Sequence, residues 1–191
     1  QERGIKEVIN LLNKNKKPIF LIGRGAQGKG ELVEKLAERL GAGIIYSLPA
    51  KGVISSENNY LVGGLGLAGS PAATELLEQS DCILIIGSTW WPERFVPKDI
   101  PIIQLDGVLE NIGCKGPVVL GIEGCIAKTL SLLLEGLKDK DNKPWKENIA
   151  LVREKWLQQM KEEISDTNPI TPQRLIKSIE KNIDHDAVIT L

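Results

Sequence analysis

Gly23-Arg24-Gly25-Ala26-Gln27-Gly28 matches the spacing Gly-x-Gly-x-x-Gly, directly after the apolar run Pro18-Ile-Phe-Leu-Ile-Gly23 and ahead of a helical stripe. Glycines at this spacing let a chain turn tightly from strand to helix. They also let its backbone approach a diphosphate, whose charge the first N–H groups of the helix then meet. The same residues equally serve a tight strand-to-helix turn that holds no ligand. A nicotinamide site of standard polarity asks for an acid at the end of the second strand, where the sequence reads Ser47-Leu48-Pro49. The acid stands instead at Asp106, at the end of the fifth apolar run. Asp106 is then either a ribose acceptor on the second half of the sheet or a capping and turn residue.

Gly63-Gly-Leu-Gly66 and Gly69-Ser70-Pro71 form a second glycine-rich loop, suited to close approach of backbone to a ligand or a neighbouring chain. Trp90 and Trp91 are adjacent in an extended segment, so both cannot enter the core. One of them covers a pocket or a subunit interface, or packs as a simple lid. The chain holds one histidine, His185, and three cysteines, Cys82, Cys114 and Cys125, none in a Cys-x-x-Cys spacing. These cannot build a closed zinc site from nitrogen and sulfur ligands, nor a disulfide framework. No Ser-His-Asp set, Cys-His pair, Walker loop or paired carboxylates emerges, so the sequence assigns no catalytic residue and no metal ligand.

The elements that must position these residues follow from patterning. The 191 residues are 42% hydrophobic and 26% charged, which fits one compact domain with an appendage. Lys and Arg number 24 against 25 Asp and Glu, a net charge of −1, so no global positive field favours nucleic acid or an anionic membrane. No apolar stretch reaches the roughly 18 to 20 residues of a membrane span, and with reduced cysteines the expected location is cytoplasmic. Strands are expected at Pro18–Gly23, Gly43–Ser47, Tyr60–Val62, Cys82–Gly87, Pro101–Asp106 and Pro117–Gly121. Helical stripes fall between them, at Glu31–Leu40 and Ala72–Gln79, with a further one from Ile126 to Leu137.

Such alternation requires crossover connections. The expected fold is α/β, a doubly wound, mostly parallel, six-stranded Rossmann-like sheet, with a C-terminal helical linker. Residues 1–137 form the sheet domain, and 138–185 a charged linker and helices. In that second stretch Lys138–Lys143 reads as solvated, and Trp145, Ile149, Val152, Trp156 and Met160 share a packing face. Thr171-Pro172 reads as a helix start. Ile5, Val8, Ile9 and Leu12 already follow a helical stripe at one end, and Asp186–Leu191 reads as the opening strand of a following domain at the other. The expectation is therefore a piece excised from a longer polypeptide.

Lys17–Ala26, Glu38-Arg-Leu-Gly41, Lys51-Gly52-Val53, Leu61–Gly66, Ser80-Asp81 before a strand ending in Gly87, and Ile102–Asp106 together resemble the central domain of thiamine diphosphate-dependent enzymes. The relatives in view are pyruvate oxidase, acetolactate synthase and their decarboxylase cousins. The resemblance runs in order from about Ile5 to Leu137. Asn168–Arg174 and Asp186–Ile189 resemble the linker and first strand leading into that family's diphosphate-binding domain.

The resemblance implies a parent that decarboxylates a 2-oxo acid such as pyruvate through a thiamine carbanion. Thiamine diphosphate and magnesium would be held by flanking domains of the same polypeptide, in a homodimer or homotetramer. It also implies a nucleotide seat here, FAD or ADP, with Gly23, Arg24, Gly25, Lys51, Gly52, Gly66, Gly87 and Asp106 at matching positions. Two departures bear on that seat: Asp106-Gly107-Val108 replaces the family's Asp-x-Asp, and Gly124-Cys125 replaces Gly-Asp. A free-standing FAD, NAD or ADP module and a ligand-free structural domain are the alternatives.

Overall fold

A computed structural model describes residues 2–89, 91, 93–164, 168–184 and 186–188. Trp90 lies outside the described residues, as do His185 and the last three residues of the expected C-terminal strand. The chain divides into two compact units, Gln1–Arg153 and Glu154–Leu191.

The first unit runs α1 (Glu2–Lys14), β1 (Pro18–Ile22), α2 (Gly30–Leu40), β2 (Gly43–Tyr46), β3 (Leu61–Gly64), α3 (Pro71–Gln79), β4 (Cys82–Ile86), β5 (Ile102–Asp106), β6 (Leu120–Glu123) and α4 (Ile126–Gly136). The first part of α5 (Lys143–Glu163) completes it. All six strands are parallel, in the order β3-β2-β1-β4-β5-β6. This is the doubly wound α/β arrangement, and the strand order reverses between β1 and β4.

β1 and β4 are buried at every residue because helices cover both of their faces, which is why they read as unbroken apolar runs. One face packs Phe20, Ile22, Ile44, Leu84, Ile86, Ile103 and Leu105 into a core with α1, α2 and α4. On the other face α3 packs against β3, and Ile149 of α5 comes to Gly43, beside Ile19. The Trp145 indole N–H donates to the Pro18 carbonyl at 3.2 Å, fixing the start of α5 over β1.

Two elements depart from their sequence patterns. The sixth strand is Leu120–Glu123 rather than Pro117–Gly121, because register with β5 sets it: Ile103 pairs with Leu120 and Asp106 with Glu123. An edge strand that buries one residue of four, Ile122, leaves little apolar pattern to read, and the apolar Val119 is 58% exposed.

In the charged segment Lys138–Lys143, Lys138, Asp139, Asp141 and Lys143 are exposed, as a solvated linker would be, but Lys140 and Asn142 are seated. The Lys140 ammonium caps the end of α1 through the Leu12 and Asn15 carbonyls, and the buried Asn142 amide donates to the Leu40 carbonyl. On α5, Trp145, Ile149 and Val152 are buried, while Met160 further along the same stripe is exposed.

In the second unit, α6 (Pro172–Asn182) starts where Thr171 accepts the Arg174 backbone N–H at 3.2 Å. That is the cap its Thr-Pro pair announces. α6 buries none of its residues.

Candidate functional site

Parallel strands send all their carboxyl ends to one edge, so the loops after β1, β2, β3, β4 and β5 stand in a row there. From β3 to β5 that row spans roughly 19 Å, at about 4.8 Å per strand spacing. Every sequence-predicted site residue falls on it, in four separate places.

Gly23, Gly25 and Gly87 meet directly at the point where strand order reverses. The Gly23 N–H donates to Ile86 O and the Gly25 N–H to Gly87 O, both at 2.9 Å. A Cβ on Gly23 would stand 2.3 Å from the Gly87 oxygen and 2.4 Å from Ser88 Cα; one on Gly25 would stand 2.8 Å from Gly87 Cα. The first two glycines of the fingerprint thus join the two halves of the sheet backbone to backbone. Arg24, between them in a short 3-10 turn (Arg24–Ala26), is exposed, and its guanidinium has no partner among the described residues.

The third fingerprint glycine belongs to a different place. Gly30 lets the first turn of α2 press against the Val53 carbonyl, where a Cβ would lie 2.3 Å away. That contact brings Gly28 of the first loop to Lys51 and Gly52 of the second, around a cleft of about 420 Å³ that Gln27, Glu31 and Val53 also line. Gly28 has φ +71° and Gly52 has φ +88°, and nothing lies within 4 Å of either position's missing side chain. Backbone can therefore be approached closely from the open side at both residues. Lys51 is exposed, and Glu31 is held below the usual carboxylate range by a hydrogen bond from Lys35 at 2.6 Å and by that ammonium's charge.

Asp106 is buried at the end of β5. Its Oδ1 accepts the Val108 N–H at 3.0 Å and the Asn111 side-chain N–H at 2.8 Å, closing its own turn, the turn role left open by its type. Gly66 lies past β3, where its carbonyl accepts from the Gly69 N–H at 2.9 Å; it does not line the cleft with Lys51. Trp91 is buried.

One residue that sequence reasoning passed over organises this edge. Gln104 on β5 is fully buried. Its Nε2 donates to the carbonyls of Asn111 at 2.9 Å and Ser88 at 3.3 Å, and its Oε1 accepts the Gly113 N–H at 2.8 Å. The signal was a lone amide inside the apolar run Ile102-Ile-Gln-Leu105. A buried amide in such a run must find partners, here the loops on either side of it.

Among the described residues no group of three His, Cys, Asp or Glu side chains is placed to hold a metal ion, and no helix is long and apolar enough to cross a membrane.

Residues 5–133 match the family described as thiamine pyrophosphate enzyme, central domain. YdaP of Bacillus subtilis (strain 168), named as a thiamine pyrophosphate-containing protein, is 31% identical over 182 residues, 94% of this chain and 32% of that protein. Sulfoacetaldehyde acetyltransferase of Roseovarius nubinhibens is 31% identical over 173 residues, 83% of this chain and 29% of the relative. Pyruvate oxidase of Lactiplantibacillus plantarum is 22% identical over 180 residues, 92% of this chain and 30% of the relative. The chain spans about a third of the length of these relatives. With the matched residues covering α1 through most of α4, on a sheet of the doubly wound order, the chain belongs to the family of thiamine pyrophosphate enzyme central domains.

Proposed function

We propose that this chain is the central, non-catalytic domain of a thiamine diphosphate-dependent enzyme acting on a 2-oxo acid such as pyruvate, and that its carboxyl edge seats the diphosphate of ADP or FAD. In the parent, thiamine diphosphate with magnesium would supply the carbanion chemistry from flanking domains, in a homodimer or homotetramer. This domain would supply scaffold and the nucleotide seat. The observation that carries the seat is the pair Gly28 and Gly52, two open positive-φ glycines flanking Lys51 in one cleft. Their backbone can be approached closely, and the Lys51 ammonium offers the counter-charge a diphosphate needs. Arg24 stands on the adjacent turn as a second cation. The hydrogen bonds of Asp106 fall on Oδ1, leaving Oδ2 for a ribose hydroxyl.

Calorimetric titration of the chain with ADP and with FAD tests the seat. Saturable binding that Lys51→Gln weakens about tenfold, the scale of one charge-assisted contact, is the expected result. The parent reading is tested on the enzyme that contains this domain. It should release carbon dioxide from a 2-oxo acid only with thiamine diphosphate and magnesium present.

A second reading, a ligand-free structural domain, is favoured by the way Gly23, Gly25 and Gly87 are used against one another and Asp106 is used in its own turn. Absence of saturable binding by ADP and FAD in the same titration would select it.

A further inference from the structure

A cluster of lysines lies at the opposite, amino-terminal end of the sheet. There Lys14, Lys16, Lys17 and Lys140 line a cleft of about 680 Å³, with two acids nearby, Asp141 in its lining and Asp81 beneath the Lys16–Lys17 turn, and with Trp145 also in its lining. In a chain whose net charge is −1, four lysines around one cavity are a local excess.

The nearby acceptors are already engaged. Asp81 spends both carboxylate oxygens on backbone, Oδ2 accepting the Lys16 N–H at 2.6 Å and Oδ1 the Lys17 N–H at 2.8 Å. This fixes the turn that carries these two lysines. Lys140 in turn satisfies the Leu12 and Asn15 carbonyls at the end of α1, which would otherwise face the cleft as acceptors. The side chains of Lys14, Lys16 and Lys17 have no ion-pair partner among the described residues. The Trp145 ring is pinned by its bond to Pro18 and is buried, so the small part of it that lines the cleft is rigid and apolar. The Asn148 amide, donating to Gln79 Oε1 at 2.9 Å, forms a fixed polar wall.

We infer that this cleft binds a small, multiply charged anion, with phosphate or carboxylate oxygens on Lys14, Lys16 and Lys17 and its body against Trp145. Two ammonium groups on a held turn, with a third at the end of α1, suit an anion carrying two or more charges. A monoanion would leave most of that charge unmatched. The cleft lies at the far end of the strands from Gly28 and Lys51, so the inference is independent of the proposed nucleotide seat.

The test is an NMR titration of the full chain at 150 mM salt, where exposed charges beyond about 8 Å are screened. The probes are inorganic pyrophosphate and citrate, followed at the backbone amides of Lys16 and Lys17 and the indole N–H of Trp145. Saturable shifts at these three positions with either probe are expected. Pyrophosphate alone identifies a phosphate site, citrate alone a polycarboxylate site, and both a general polyanion site.

A triple variant, Lys14→Gln, Lys16→Gln and Lys17→Gln, changes only exposed side chains and should weaken binding at least tenfold. The same exchange at the exposed Lys6, Lys98 and Lys115 should leave it unchanged. Linear, unsaturated shifts, or equal weakening in both triple variants, would overturn the inference. So would saturable shifts confined to Gly28, Lys51 and Gly52, a result that would favour the nucleotide seat instead.

Discussion

Individual glycines in the Gly-x-Gly-x-x-Gly turn are used for different physical reasons, and substitution separates them. Gly23 sits at φ −113°, where any residue is comfortable, but a Cβ there would strike the Gly87 oxygen and Ser88 Cα at 2.3 and 2.4 Å. Both are backbone atoms that cannot rotate away, so Gly23→Ala should cost about 3 kcal/mol or more, the upper range of core overpacking. Gly28 has open space but φ +71°, so Gly28→Ala carries only the left-handed conformational penalty, about 1 kcal/mol. Urea unfolding of the two variants should place their midpoints in that order. Equal midpoints would mean that the β1 and β4 loops part easily.

Cys82 gives a second prediction at this scale. Burial, with the Asp81 charge beside it, pushes its thiol up from 9.0 to about 12. The folded state therefore keeps a proton that the unfolded chain releases above pH 9. The stabilising contribution is complete below pH 9 and is lost as pH rises toward 12, at a slope approaching 1.4 kcal/mol per pH unit. Lys140, lowered by burial, acts in the opposite direction at alkaline pH. The difference between the wild type and Cys82→Ala, followed under reducing conditions from pH 8 to 11, isolates the thiol. A pH-independent difference would refute its burial.

The elements of the sheet were legible where burial on both faces made a strand a continuous apolar run, as in Pro18–Ile22 and Cys82–Ile86. Legibility failed at β6, whose place is set by pairing to β5 rather than by its own composition, and at Lys140 and Asn142, whose side chains find carbonyls that only the fold brings near. The site was legible as a set of loops but not as a grouping. Spacing alone cannot show that Gly23 and Gly25 face Gly87 while Gly28 faces Gly52 across a cleft, because the contact of Gly30 with Val53 decides it.

Gln104 shows the same limit from the other side. One amide on β5 holds the loop after β4 and the turn around Asn111 and Gly113 together. Gln104→Leu fills most of the volume but leaves two carbonyls and an N–H short of a partner. A loss of about 3 kcal/mol is expected from leaving such groups unsatisfied. Trp91, on the loop after β4, provides the local probe, and its fluorescence should report loosening below the global unfolding midpoint. A loss under about 0.5 kcal/mol would mean water replaces the amide at every position.

Across the molecule, stability is expected to be unevenly distributed between the two compact units. β1 and β4 bury every residue, so their amides should exchange with solvent only when the whole sheet unfolds. α6 has no buried residue, and its apolar stripe, Leu175, Ile176 and Ile179, is exposed. A helix of 11 residues without a buried face is marginal in water, because nucleation is costly and little packing offsets it. Its Thr171 cap contributes only about 1 kcal/mol. Native-state hydrogen exchange on the chain should therefore find α6 amides at least roughly a thousandfold less protected than those of β1 and β4. The ratio should also be independent of protein concentration. Protection in α6 that rises with concentration would mean the stripe is covered by a second copy of the chain. Protection equal to that of the sheet at every dilution would mean α6 unfolds together with it, and the division into two units would not describe the protein in solution.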